Sequence, residues 1–395
     1  MDIFVGEWLN LLLRWTHMIV AIGWIGTSFY FMALDYSLSK LDRMNEGVLG
    51  TAWQVHGGGF YHVEKYTVAP PTLPEVLHWF KWEAYLTWVT GFGLLIVQYY
   101  YHAEAFLIDP GVMPLQPWQA ITISIASLAA GWFAYDLVCR SKIGDNVALL
   151  ALTVFALILI AAVLYTKVFS GRGAFIHVGS LVGTIMAVNV FGVIIPNQKK
   201  MIAQMIRGET PEARYGVIGK QRSIHNSYLT LPVLLMMVSQ HYPFLFTHPQ
   251  SWLVVALILL SGGFIRHMLN LIDAGDGWNR YAWAAALAAA MALVATIYLT
   301  APQPRVGAGG AVTDAQALAI NAKHCVSCHS HNPSHPAFKE PPKNVALDTI
   351  AEMRRFAQQI HMQTVQNRAM PLGNQTGMTE EEREALGRWV VNRSK

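Results

Sequence analysis

Charge is scarce in this chain. Only 13% of its 395 residues are Asp, Glu, Lys or Arg, against 53% hydrophobic ones, and the mean hydropathy is +0.33. That balance excludes an ordinary water-soluble enzyme of this length and leaves a membrane protein with a soluble appendage. Cysteine is scarce too. Of three, Cys325 and Cys328 belong to one motif, and Cys139 stands alone near the end of an apolar stretch, where it reads as a small buried residue. A secretory-signal layout is also missing, because Arg14 interrupts the first apolar run and that run continues too far. The net charge of +4 makes no case for nucleic acid, since the basic residues are spread over separate loops and form no patch.

What is present is a series of apolar stretches of about 20 residues, the length that crosses a bilayer. Eight are expected, centred near 9–34, 79–101, 118–138, 147–168, 173–196, 224–246, 251–272 and 281–300. Lys40, Arg43, Lys65, Arg140, Lys142, Lys199, Lys200, Arg207, Arg214, Lys220, Arg222 and Arg280 fall in connections on one side, and only Lys167 and Arg172 on the other. The positive-inside rule makes the first side cytoplasmic. Both chain ends then lie outside, periplasmic in a bacterium, with the protein in the inner membrane. The fold class expected is all-α, an eight-span bundle over 1–300, a linker over 301–312 and a soluble domain over 313–395.

The linker assignment rests on the Pro and Gly clusters after residue 301. Thr313 with Gln316 is a capping-box pattern whose helix runs into Cys325-Val326-Ser327-Cys328-His329. C-x-x-C-H is the attachment motif of c-type haem: two thiols bond its vinyl groups and the histidine reaches the iron. For the second axial ligand the choice lies among Met362, Met370, Met378, His331, His335 and His361. Met370 is preferred, because Met370-Pro371 and Gly373-Asn374 form a rigid loop ahead of a helix capped by Thr379 and Glu382. The layout resembles small class I cytochromes c. Covalent haem attachment is an outer-face process in bacteria, which agrees with the charge count.

Histidines within apolar stretches are costly and point to function. His17 and His177 lie near the outer face and offer themselves as ligands to one haem b, with Arg14 one turn from His17 for a propionate and Trp24 deeper on that face; hydrogen-bonded packing is the alternative. His78, His225 and His267 face the cytoplasm, where three could converge. The loop His56-Gly57-Gly58-Gly59-Phe60-Tyr61-His62-Val63-Glu64-Lys65 combines backbone freedom with acidic, basic and aromatic groups, the alternative being a flexible interfacial loop with incidental histidines. Arg266, Asn270 and Asp273, polar at helical spacing near the same face, suit either a polar planar substrate or a helix-end hydrogen-bond network. Gly179, Gly183, Gly91 and Gly93 are expected to let helices approach closely.

As a whole the chain resembles the bacterial membrane-bound cytochrome c urate oxidases, also called urate hydroxylases. The segments that carry this are Arg14-Trp15-Thr16-His17 through Gly23-Trp24-Ile25-Gly26, the loop from His56 to Tyr66, and His225-Asn226-Ser227-Tyr228-Leu229-Thr230-Leu231-Pro232. The resemblance implies oxidation of urate to 5-hydroxyisourate without hydrogen peroxide, electrons passing through haem to the fused cytochrome c and on to a periplasmic acceptor or the respiratory chain. His56, His62 and His225 are then the choices for a general base, and Lys65, Arg266 and Asn270 for binding substrate. Two other functions compete: a respiratory quinol- or cytochrome c-linked oxidoreductase, and a non-enzymatic multihaem electron conduit. The former is disfavoured because no adjacent histidine pair exists.

Overall fold

The computed structural model describes residues 3–41, 43–275, 281–301, 310–336 and 338–391; Arg280 and residues 302–309 of the expected linker lie outside these. Apolar sequence becomes helix here because a backbone away from water must satisfy its N–H and C=O groups within its own segment. In chain order come α1 (Ile3–Tyr36), strands β1 (Val48–His56) and β2 (Gly59–Tyr66), and α2 (Trp82–Leu95), which continues through a π turn to Tyr100. Then follow α3 (Ala103–Phe106), α4 (Pro117–Arg140), α5 (Val147–Thr166) and α6 (Gly171–Val188), which passes through a π segment, Asn189–Ile194, into α7 (Ile195–Ile206). The bundle closes with α8 (Ala213–Val238), α9 (Pro243–Phe246), α10 (Ser251–Asp273) and α11 (Ala282–Thr300). Starts are fixed by local chemistry: Gln116 and Gln119 form a reciprocal capping box before Pro117, Asn146 caps α5, and Ser170 caps α6.

Among the described residues six helical stretches are long and apolar enough to cross a membrane: Phe4–Tyr36, Pro117–Arg140, Val147–Thr166, Gly171–Ile206, Ser251–Asp273 and Ala282–Thr300. The two other expected spans are helical without meeting both criteria. α2 is short, and α8 starts well before the apolar stretch at 224, taking in Arg214, Lys220 and Arg222. Arg222 is therefore no loop charge: it is 1% exposed inside the bundle. A second departure from an all-α expectation is the segment after α1. β1 and β2 pair antiparallel, His56 opposite Gly59, and Gly57 and Gly58 at φ +58° and +80° make the two-residue turn. The glycines serve the hairpin's own backbone.

The buried core runs through Tyr135, Ile158, Leu181, Val182, Ile185, Met236 and Val254. Glycines set several helix approaches. A Cβ at Gly262 would meet Pro232 Cδ at 2.6 Å, and one at Gly91 would meet His17 Cε1 at 2.9 Å; Gly93 and Gly179 also pack closely, while Gly183 faces open space. Pro232 sits inside α8. The hairpin covers one end of the bundle: Tyr30 donates to Gln54 at 2.6 Å, and Asp35 pairs with Lys65 and, at 3.8 Å, with Lys220.

Residues 313–391 form a second helical unit with its own core of Ala317, Leu347, Met353, Leu386 and Trp389. It contains α12 (Asp314–His324), α13 (Ile350–Arg355), α14 (Ala357–Ile360) and α15 (Glu380–Val391). The capping box at Thr313 and Gln316 forms, as does the pairing of Thr379 with Glu382. α15 lies on α12, tied by Lys323 to Glu382 at 2.8 Å and by Trp389 Nε1 to Asp314 at 2.8 Å. The unit rests on the bundle end opposite the hairpin. There the Gln375 amide donates to the Glu104 carbonyl, and a Cβ on Gly373 would stand 2.7 Å from the Ile108 carbonyl oxygen.

Candidate functional site

Cys325 caps the end of α12, and the next turn closes through Cys328 N–H and His329 N–H to the Cys325 carbonyl at 3.1 and 2.8 Å. Neither cysteine is in a disulfide. Burial pushes the Cys325 thiol up to about 12 and the Cys328 thiol upward, so neither is poised as a thiolate nucleophile. His329 Nδ1 is 2.8 Å from the Val345 carbonyl, which fixes the proton on that nitrogen and leaves the Nε2 lone pair for a metal. This donor set fits a covalently held haem. Of the alternatives to Met370, Met378 is buried in the core, Met362 is exposed, and His331 bonds Glu352 at 2.8 Å. Met370 lies in the loop, partly exposed, its N–H given to the Gln363 carbonyl at 3.0 Å.

His17 and His177 turn to different neighbours. His17 Nδ1 meets Thr90 on α2 at 2.9 Å. His177 is fully buried, with Nε2 2.6 Å from Ser124 and Nδ1 2.7 Å from the Gly173 carbonyl, and its ring lies 4.4 Å from that of Phe169. Arg14 is taken up by Asn10 at 2.9 Å and Gln98 at 2.8 Å, and Trp24 packs against the core. The two histidines thus face different helices, His17 turned to Thr90 on α2 and His177 to Ser124 on α4, while the Gly173 carbonyl on His177 Nδ1 is the same kind of partner that His329 has in Val345. Sequence spacing put the two at similar depth, but depth says nothing about the direction a side chain takes around its helix axis.

At the hairpin end the expected residues divide. His56 and His62 are exposed, the latter against Trp53 at 4.5 Å, and Lys65 is held by Asp35. His78 is exposed, while His225 bonds Tyr135 and His267 bonds Tyr228, each of these two turned to a partner of its own.

Two buried polar clusters stand just inside that end, both served by α8. In the first, Arg222 Nη2 bonds Asp136 at 2.7 Å, and Arg140 bonds the other carboxylate oxygen at 2.7 Å. The Arg222 guanidinium lies 5.0 Å over the Tyr135 ring. The Tyr135 hydroxyl is 2.7 Å from His225 Nδ1 and accepts from Asn189 at 2.9 Å, and Asn189 reaches Asn226 at 3.0 Å. Tyr135, Asp136, Asn189, Arg222 and Asn226 were not expected as site residues. The π segment that begins at Asn189 is a backbone irregularity of a kind that gathers at functional sites, and nothing in the sequence announces it. The i, i+3, i+4 spacing of Arg222, His225 and Asn226 was the available signal.

In the second cluster, Arg266 and Asn270 are 2% and 3% exposed, one turn apart on α10. Arg266 Nε donates to Ser227 at 2.7 Å and the guanidinium carbon stands 4.1 Å over the Phe29 ring. Among the described residues, Arg266 Nη2 and both polar atoms of the Asn270 amide are buried without a hydrogen-bond partner. Such groups cost about 1–3 kcal/mol each if left unmet, so they call for a polar partner, whether water or a ligand. Tyr228 and His267, 2.8 Å apart, adjoin it in sequence.

Residues 3–299 match the family described as urate oxidase N-terminal. Neither a curated protein nor a solved structure matches the chain.

Proposed function

The chain belongs to the urate oxidase N-terminal family, and from that premise we propose that it is a membrane-bound enzyme that oxidises urate to 5-hydroxyisourate. Urate and one water give product, two protons and two electrons, with no dioxygen consumed and no peroxide released. The observation that carries the proposal is the unmet polarity of Arg266 and Asn270. Urate is a flat ring edged by alternating N–H and C=O groups. An amide offers the complementary N–H and C=O to one such edge, and a guanidinium N–H serves an oxyanion or carbonyl. Phe29 already flanks the guanidinium and supplies an apolar wall for a planar ligand.

Among the three histidines named for general base, His225 is favoured over His56 and His62, because it is half-buried and hydrogen-bonded to Tyr135 while they are exposed on the hairpin. Asp136 on Arg222 keeps the charge beside Tyr135 compensated. Lys65 belongs to the hairpin, where Asp35 holds it.

A covalent c-type haem would supply one-electron acceptance at the far end of the bundle, held by Cys325, Cys328, His329 and Met370. Along α4 the Tyr135 cluster and the bundle end at Pro117 are about 27 Å apart at about 1.5 Å per residue. The arrangement accords with a cytoplasmic substrate, an inner-membrane bundle and a periplasmic cytochrome domain that passes electrons to a soluble acceptor or the respiratory chain.

The test is anaerobic addition of urate to membranes containing the protein while the absorption of the c-type haem is recorded. Reduction is expected; its absence in a protein that carries covalent haem overturns the proposal.

A further inference from the structure

Arg383 on α15 is 6% exposed, yet its three hydrogen-bond acceptors are neutral oxygens. Nη1 donates to the Thr364 carbonyl at 2.7 Å and to the carbonyl of Met370 itself at 2.6 Å, and Nη2 donates to Asn374 Oδ1 at 3.3 Å. Asn374 Oδ1 in turn accepts from Met378 N–H at 3.0 Å. The segment so gathered has little regular structure of its own. Arg368, Gly373 and Asn374 take positive φ, and beyond Gln363 no strand or helix ladder holds Met370. A thioether is a neutral, weak ligand, and it stays on a metal only when its loop is already shaped to present it. One guanidinium supplies that shape, on both sides of residue 370.

We propose that Arg383 is the positioning residue for Met370, and that its buried cation also favours the reduced state of the haem that Met370 would ligate. This rests on the reading of Cys325, Cys328, His329 and Met370 as a haem c site. A carboxylate partner would have cancelled the charge locally. Its direct acceptors are carbonyl and amide oxygens, and of the two carboxylates within electrostatic reach, Glu380 and Asp109, Glu380 is itself paired with Arg368. The positive charge on the loop is therefore offset only in part, and a nearby cation stabilises a centre that gains an electron. The same loop abuts the bundle through Gln375 and Gly373, so Arg383 also fixes how the ligand-bearing loop meets the bundle.

The experiment uses full-length protein in detergent, wild type with R383L, R383K and M370A. Four properties are read: covalent haem on a denaturing gel, the methionine-sulfur-to-ferric-iron charge-transfer band, the equilibrium midpoint potential, and imidazole binding to the ferric form. R383L is expected to keep covalent haem, lose the band, titrate at a lower potential and bind imidazole about tenfold more tightly, one charged hydrogen bond's worth. R383K should restore the potential in part. An R383L protein with wild-type band and potential overturns the inference. Should R383L take up no haem, N374A decides: a weakened band supports the inference and an unchanged one overturns it. A band that survives in M370A removes the ligand and the inference together while leaving urate oxidation standing. Wild type without covalent haem removes the haem outlet itself.

Discussion

The Arg266 guanidinium carbon stands 4.1 Å over the ring of Phe29, joining α10 to α1 at the hairpin end of the bundle. Ser227 takes Nε, so the guanidinium is braced on two sides with one nitrogen, Nη2, left unmet. Asn270, one turn on, is unmet at both ends of its amide.

That arrangement predicts a trade of stability against binding. Asn270→Leu removes two buried unpartnered atoms of a group that costs about 1–3 kcal/mol when unmet. The ligand-free variant should melt higher than wild type, and urate should no longer raise its melting temperature. Thermal unfolding with and without urate checks both. An N270L protein that melts lower and still responds to urate would count against the assignment.

Asp136 and Arg222 predict a contrast between two arginines on one carboxylate. Arg222→Met leaves a buried charge beside Tyr135 and should cost about 3–5 kcal/mol. Arg140→Ala touches the same Asp136 from a side chain that is 65% exposed, and should cost under about 1 kcal/mol. Denaturation of the two variants in mild detergent separates them, and D136N combined with R222M should recover part of the loss.

Gly262 and Gly263 are adjacent and opposite in consequence. Alanine at 262 meets Pro232 Cδ at 2.6 Å, whereas alanine at 263 meets nothing within 4 Å. G262A should lose about 1–3 kcal/mol through forced separation of α8 and α10. G263A should be neutral or slightly stabilising, since alanine restricts the unfolded chain more than glycine does. Yield of monodisperse protein and melting temperature distinguish them.

Glu382 predicts an acid limb in the stability of the C-terminal unit. The Lys323 ammonium, followed by the Thr379 N–H, holds its carboxyl at about 2, against an ordinary 4.5. A carboxyl depressed in the folded state gives stability that is whole above about pH 4.5 and is lost as pH falls towards 2. E382Q should be less stable than wild type at neutral pH and should lose less on going from pH 5 to about pH 2. Chemical denaturation at several pH values measures the difference.

The membrane-length helices, the helix leading into Cys325 and the cap at Thr379 could all be read in the chain, because length, apolarity and capping are local properties. The hairpin was readable as well: Gly57-Gly58 between Trp53-Gln54-Val55 and Phe60-Tyr61 is a two-residue turn signal, obscured by the pull of its histidines towards a binding loop. Arg266 and Asn270 announced themselves by spacing. Arg222 did not, since a basic residue next to Lys220 looks like loop charge until Asp136, far away in sequence, supplies its partner. The different partners of His17 and His177 were likewise out of reach, for they depend on how α1 and α6 are rotated against their neighbours.

Pro232 has no N–H to give to the carbonyl of Tyr228, so α8 loses one rung just beyond the segment that carries Arg222, His225, Asn226, Ser227 and Tyr228. Gly262 lets α10 press against that same point. The break in α8 thus falls one turn past Tyr228, and the residues that α8 lends to both polar clusters all lie on the same side of it. Ser227 on Arg266 and His225 on Tyr135 therefore sit two residues apart on one unbroken stretch of helix, which holds the two polar clusters in fixed register with each other.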